Sequence, residues 1–190
     1  MIVSAFFNVQ QRSLLMPKLR KMLNDVNADY IQELMKLIES QSKETIALWC
    51  INYATEHFLP IWQQEKPNDT RPLNALNAAK SYLDGNIKLT EAKKEIMLCR
   101  TAARETVDNH IAHGIARTID AAASTIHNPA GSISIAFYGA LTLAYHYHGL
   151  DASWEILEQA AISECHKMIA SFKKISIENE PNPAKITWGC

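Results

Sequence analysis

The sequence predicts an all-α protein, a single-domain multi-helix bundle of about seven or eight helices. Apolar residues recur at steps of three and four along most of the 190-residue chain, which is the period of helices that bury one face. Most of the six glycines stand at the ends of these periodic segments, where they favour turns. A hydrophobic fraction of 47% is enough to fill one core.

The first two helices are short and amphipathic. One is predicted over residues 12–24, with Pro17 near its start, where the missing N–H group costs least. The next is predicted from about residue 30 to residue 40, and Asp29 can accept hydrogen bonds from the N–H groups at its start.

The third helix, over residues 43–64, carries the clearest apolar stripe. Pro60 lies inside this stripe and cannot donate a hydrogen bond to the carbonyl of Glu56. We therefore expect either a kink at Pro60 or a helix end near His57.

The fourth helix begins after a polar loop. Asp69 or Thr70 is its expected cap, Pro72 lies in its first turn, and Gly85 fits the left-handed residue just past its end. Thr90 is the expected cap of the fifth helix.

The second half of the chain continues the helical pattern. A break at residues 108–109 separates the fifth helix from a stripe over 111–126. Residues 132–135 alternate as in a strand, but the apolar segment is too long for a typical strand, and a helix is favoured. Asp151 is the expected cap of the last helix.

The domain organisation follows from where this periodicity ends. Residues 1–175 form the predicted helical domain, and residues 176–190, with two prolines and no apolar period, form an irregular C-terminal tail. Large apolar and aromatic side chains on the stripes are expected in the core: Trp49, Tyr53, Leu76, Tyr82, Ile115, Phe137 and Trp154.

Composition narrows the classes of partner. The chain has 19 Lys and Arg against 20 Asp and Glu, so no basic excess indicates a nucleic acid or an anionic membrane as partner. No segment is apolar for long enough to span a bilayer, and no signal-peptide pattern stands at the N-terminus. The four scattered cysteines form no CxxC pair, which favours reduced thiols in the cytoplasm.

One helix face carries the only same-face cluster of candidate ligands. His110, His113 and Asp120 recur at helical steps, which would suit a metal site or acid–base chemistry. Arg117 lies on the same face and adds a positive charge, which disfavours a cation there. A structural polar face, with no metal and no cofactor, is therefore the favoured interpretation. The alternative is a small helical metal-dependent enzyme or sensor.

Arg71 stands at a helix start, where the helix dipole disfavours a cation. It either pairs with Asp69, Glu65 or Glu91, or recognises an acidic group on another protein. Trp188, in the tail, is the one aromatic residue without a periodic reason to be buried.

The segment from Asp69 to Gly85 can be written D-x-R-P-x-x-A-L-x-A-A-x-x-Y-L-x-G, and "WCINYATEHFLPIW" precedes it. Together with "CRTAARET" and "HGIARTIDAAASTIH", these segments resemble the fifth-numbered immunity-protein family of bacterial polymorphic toxin systems. The resemblance covers about residues 46–148.

The resemblance implies an all-α cytoplasmic protein that binds and neutralises a cognate toxin and is not an enzyme. It transfers no catalytic residue. Asp69 and Arg71 are the only motif positions free to contact the toxin, and Trp188 is added as a candidate apolar contact. Homo-oligomerisation stays open.

Overall fold

The structure is a computed structural model that describes residues 19–23 and 25–189. Within these residues the chain is all-α, forms a single domain and has no strand. The first two of its seven helices are α1, at Asp29–Glu39, and α2, which consists of three consecutive stretches. These stretches are an α-helix at Lys43–Tyr53, a π-helical turn at Ala54–Phe58 and an α-helix at Leu59–Glu65.

The remaining five helices follow in order: α3 at Arg71–Leu83, α4 at Leu89–Glu105, α5 at His110–Ser124, α6, and α7 at Trp154–Lys173. Helix α6 begins with a 3₁₀ turn at Pro129–Ile133, continues through a π-helical turn at Ile135–Ala140 and ends as an α-helix at Leu141–His148. Within the described ranges, each helix is too short or too polar to cross a lipid bilayer.

Helix α5 lies at the centre of the bundle, against α2, α3, α4 and α6. Its alanines allow this, because Ala112, Ala116, Ala122 and Ala123 are fully buried and let neighbouring helices approach closely. Helices α3 and α4 pack side by side on one flank, while α7 covers α1, α6 and part of α2 on the other.

The predicted core is confirmed for five of its seven residues. Trp49, Tyr53, Leu76, Ile115 and Phe137 are buried, and Trp49 stacks on Phe172 with ring centroids 4.5 Å apart. Tyr82 and Trp154 are partly buried and pack against this core from its edge. Both lie near a helix terminus, where fewer neighbours cover a large ring.

Two π-helical turns meet in the middle of the bundle. In α2 the Leu59 N–H group donates to the carbonyl of Ala54, five residues earlier. The wider turn lets the helix run on through Pro60 to Glu65, so the alternative of a helix end near His57 was wrong. A Cβ atom placed on Gly139, in the π turn of α6, would lie 2.6 Å from Cζ of Phe58.

Several predicted boundaries need correction. Helix α4 begins at Leu89, and Glu91 accepts from the N–H group of Lys88, so Thr90 is not the cap. Ser153 rather than Asp151 caps α7 by accepting from Ile156. The helix predicted over 12–24 falls mainly on residues outside the described part, and residues 19–23 are not helical.

Residues after Lys173 cross the surface of α1 without forming a helix. The Gln41 side chain accepts from Ile177 N and donates to Ile177 O, and its backbone carbonyl accepts from Ala184 N at 2.8 Å. The tail is therefore held to the domain by backbone hydrogen bonds as well as by the buried Ala184.

Candidate functional site

The motif residues Asp69 and Arg71 form an ion cluster with Glu105, which is 34 positions from Arg71 in sequence. Arg71 Nε and Nη2 donate to the two carboxylate oxygens of Asp69 at 2.9 and 2.7 Å. The same Nη2 lies 2.6 Å from Oε2 of Glu105, at the last residue of α4. The cluster therefore ties the start of α3 to the end of α4.

Contacts within this chain hold Asp69 and Arg71 in place without any partner protein. Oδ1 of Asp69 accepts from the backbone N–H of Arg71 at 3.1 Å, which caps the helix that Pro72 stiffens. The indole of Trp62 donates to the carbonyl of Asp69 at 2.6 Å. The loop before α3 is therefore anchored by a hydrogen bond to Trp62, which is buried in the core.

The charges of the cluster stabilise one another. The hydrogen bond from the Arg71 guanidinium lowers the pKa of Asp69 below its ordinary value. The bonds to Asp69 and Glu105 raise the pKa of Arg71, so it stays charged. The carboxylate of Asp69 also offsets the unfavourable position of a cation at the start of a helix.

The cluster remains open to solvent. The side chains of Asp69, Arg71 and Glu105 are 21%, 28% and 57% exposed, and residues 65–71 line a surface cavity of about 590 Å³. Arg71 is therefore an oriented donor at the surface that can exchange one carboxylate, Glu105, for another. No acid–base step follows from the arrangement.

Of the partners proposed for Arg71 from the sequence, the structure selects Asp69. Glu65 instead accepts from Asn109 at 2.8 Å, and Glu91 accepts from the backbone of Lys88. The second partner, Glu105, was missed because nothing in the sequence shows which residue of α4 faces the start of α3.

Trp188 lies elsewhere, against α1. Its Nε1 donates to Oε1 of Glu39 at 2.5 Å, and its ring lines a cavity of about 440 Å³ together with Met22, Val26 and Phe137. The ring is half-buried, so it leaves an apolar edge at the surface. The structure unites Asp69 with Arg71 but places Trp188 on a separate patch.

The three candidate ligands on α5 have separate partners. His110 packs edge-on against Tyr145, Nδ1 of His113 lies 2.7 Å from the carbonyl of Ala103, and Asp120 forms an ion pair with Arg100. Burial lowers the pKa of His110. In the part of the chain that the structure describes, no three His, Cys, Asp or Glu side chains converge on a common point.

Two further ionisable residues, Glu56 and His57, lie in the π turn of α2. Nε2 of His57 lies 3.8 Å from Oε2 of Glu56, and His57 packs on Tyr53 with ring centroids 4.2 Å apart. The position of His57 is thus explained by packing.

A family model described as "Imm-5 like putative immunity protein" matches residues 36–171. The match includes the ion cluster and helices α2 to α6, and it ends before the tail that carries Trp188. No curated protein and no solved structure matches the chain.

Proposed function

The chain belongs to the Imm-5 like putative immunity protein family, and on that premise we propose that it binds and neutralises a cognate bacterial toxin domain in the cytoplasm. Neutralisation is by direct contact, without turnover. The observation that carries the proposal is the family match, which spans the exposed Asp69–Arg71–Glu105 cluster.

Arg71 is the proposed polar contact, with Asp69 as the residue that orients it. Asp69 already fixes two of its guanidinium nitrogens, so little side-chain entropy is lost when a partner binds. A carboxylate of the toxin would replace the exposed Glu105 on Nη2 and gain a charge-assisted hydrogen bond.

Trp188 is the proposed apolar contact. Tryptophan is enriched among the residues that dominate binding energy, and this ring combines an apolar edge with an anchored indole nitrogen. Because it lies outside the family match, we assign it to recognition of one particular toxin rather than to a property shared by the family.

The candidate catalytic side chains in the described segments are buried or engaged in structural contacts, which supports a mechanism without turnover. Cys50, Cys99 and Cys165 are buried, which keeps them from acting as nucleophiles. The histidine and carboxylate groups of α5 are engaged in separate structural contacts.

The test is co-expression with the toxin domain that we expect to be encoded beside this chain, followed by calorimetric titration of the purified pair. Arg71→Ala should weaken binding by about 2–5 kcal/mol if a toxin carboxylate is buried against it. Glu105→Gln, which removes the competing carboxylate, should leave binding unchanged or strengthen it. Light scattering of each sample gives the stoichiometry and shows any homo-oligomer.

Lys80→Ala is the matched control, because Lys80 is an exposed cation in the last turn of the same helix. It should not alter binding. Wild-type chain that neither binds nor protects against the toxin would remove the immunity proposal. Full affinity in Arg71→Ala would remove only the contact assigned to Arg71.

A further inference from the structure

A groove between α4 and α5 is lined by three arginines and one carboxylate. Arg100 and Arg104 are four residues apart on α4, and Arg117 and Asp120 are three apart on α5. Together with His113 they line a cavity of about 300 Å³. Because three arginines and one carboxylate line this groove, two of its positive charges have no carboxylate of the groove to compensate them, although the whole chain has a formal net charge of −1.

Both carboxylate oxygens of Asp120 are paired with one of the three arginines, Arg100. They accept from Nε and Nη2 of Arg100 at 3.0 and 3.3 Å. In the described ranges no carboxylate lies within ion-pair distance of Arg104 or Arg117. The dipole at the C-terminal end of α4 favours Arg104, but Arg117 lies in the middle of α5 and has no such compensation.

The contacts of Arg117 and His113 orient them while leaving donors free. The guanidinium of Arg117 lies over the ring of Tyr138, 4.2 Å from its centroid. A stacked guanidinium keeps its N–H groups in its own plane, where they can bind an oxyanion. Nδ1 of His113 donates to the Ala103 carbonyl, because a carbonyl can only accept, and Nε2 is then a second donor only in the imidazolium form.

We propose that this groove is a binding site for a phosphate-class dianion, held by Arg104, Arg117 and the imidazolium form of His113. A phosphate monoester carries between about −1.5 and −2 charges at neutral pH, which matches the two uncompensated arginines, whereas a carboxylate side chain carries one. The cavity is at the lower end of the range for small-molecule sites, about 300–1,000 Å³, so it has room for a small group attached to the phosphate. The site is separate from the Asp69–Arg71–Glu105 cluster, and its test is independent of any toxin.

The experiment titrates the full chain with inorganic phosphate, glycerol phosphate and acetate at constant ionic strength. Binding is followed by calorimetry and by the amide resonances of α4 and α5 in NMR. Saturable binding of the two phosphates, with acetate much weaker, is the expected result. Absence of saturation, an equal response to sodium chloride, or tighter binding of acetate would each overturn the proposal.

Variants test which side chains hold the ion. Arg104→Gln and Arg117→Gln should each weaken phosphate binding about tenfold, because each removes a charge-assisted donor. Arg117→Lys keeps the positive charge but loses the planar fork, so it should also weaken phosphate binding. This variant tests the contact even if Arg117→Gln disturbs the fold. Lys94→Gln is the matched control, since Lys94 is exposed and six positions before Arg100, roughly 240° around α4. If the three arginine variants bound phosphate as tightly as the Lys94→Gln control, the assignment of these side chains would be overturned.

Discussion

Tyr53 donates a 2.6 Å hydrogen bond from its hydroxyl to Oε1 of Glu164, and this bond joins α2 to α7 inside the bundle. Both side chains are buried, and Oε2 of the same carboxylate accepts from Lys167 at 3.0 Å. Burial, together with the hydrogen bond to Glu164, raises the pKa of the Tyr53 phenol well above its ordinary value, so it remains a donor at any physiological pH.

Tyr53→Phe should therefore lower the free energy of unfolding by about 1–3 kcal/mol, because a buried carboxylate loses its closest donor. Urea denaturation at neutral pH measures the change. Tyr147→Phe is the control, since Tyr147 is 68% exposed and its hydroxyl is expected to contribute nothing measurable. An unchanged denaturation midpoint in Tyr53→Phe would show that the hydrogen bond adds no net stability.

Asp69→Asn should make the protein less stable at neutral pH and less sensitive to acid. The folded-state pKa of Asp69 is lowered mainly by the hydrogen bond from Arg71. Its contribution is therefore complete above the unfolded pKa, about 3.9, and is lost as the pH falls through the lower folded value.

The stability gap between wild type and Asp69→Asn should accordingly narrow as the pH falls below about 4. Denaturant titrations at a series of pH values provide the measurement. A gap that stays constant down the whole series would contradict the assigned cause of the pKa shift.

The three described cysteines should be unreactive in the folded protein. Each is fully buried, and burial raises the pKa of Cys165 to about 12 and those of Cys50 and Cys99 as well. Only the thiolate attacks disulfide reagents. A Cys190→Ser variant removes the thiol outside the described residues.

Ellman's reagent should label this variant at none of its thiols at pH 8 in buffer and at all three in denaturant. Fast labelling of one thiol without denaturant would mean that its helix opens locally on the timescale of the reaction.

Gly139→Ala should destabilise the fold by about 1–3 kcal/mol through overpacking. The new methyl group would lie 2.6 Å from Cζ of Phe58 and 2.8 Å from Cγ2 of Thr118, and both of these residues are buried. Gly131→Ala is the control, because the closest atom to its added methyl group is 3.4 Å away. Thermal melts compare the two, and equal melting temperatures would show that the π turn of α6 can shift at little cost.

Much of the fold could be predicted from the sequence because most helices bury one apolar stripe. Such a stripe is formed by residues three and four positions apart, so it can be recognised within a single segment. The left-handed residue Gly85, with φ of 75°, and the break at Asn109 were local as well. The caps of α4 and α7 were missed by two residues because Lys88 and Ser153 compete with nearby polar residues for the same role. The ambiguity at residues 132–135 has a physical cause: a 3₁₀ turn and a π turn replace the 3.6-residue period there.

The candidate site was less predictable because its pairings connect different helices. The pairing of Arg71 with Asp69 spans two residues and was among the expected alternatives. The bonds from Arg71 to Glu105 and from Arg100 to Asp120 depend on how α3, α4 and α5 pack, and a single sequence contains no direct record of that.

The paired π turns determine how relatives of this chain should be aligned. A π turn holds one residue more than the α-helix around it, so a relative without it needs a one-residue gap within 54–58. When the extra residue and the wider turn are lost together, the helix after the gap keeps its rotational register. The aromatic ring at the position of Phe58 then still lies against residue 139, where an added Cβ atom would be 2.6 Å from Cζ. We therefore expect relatives with a gap within 54–57 and an aromatic residue aligned with Phe58 to keep a glycine aligned with Gly139.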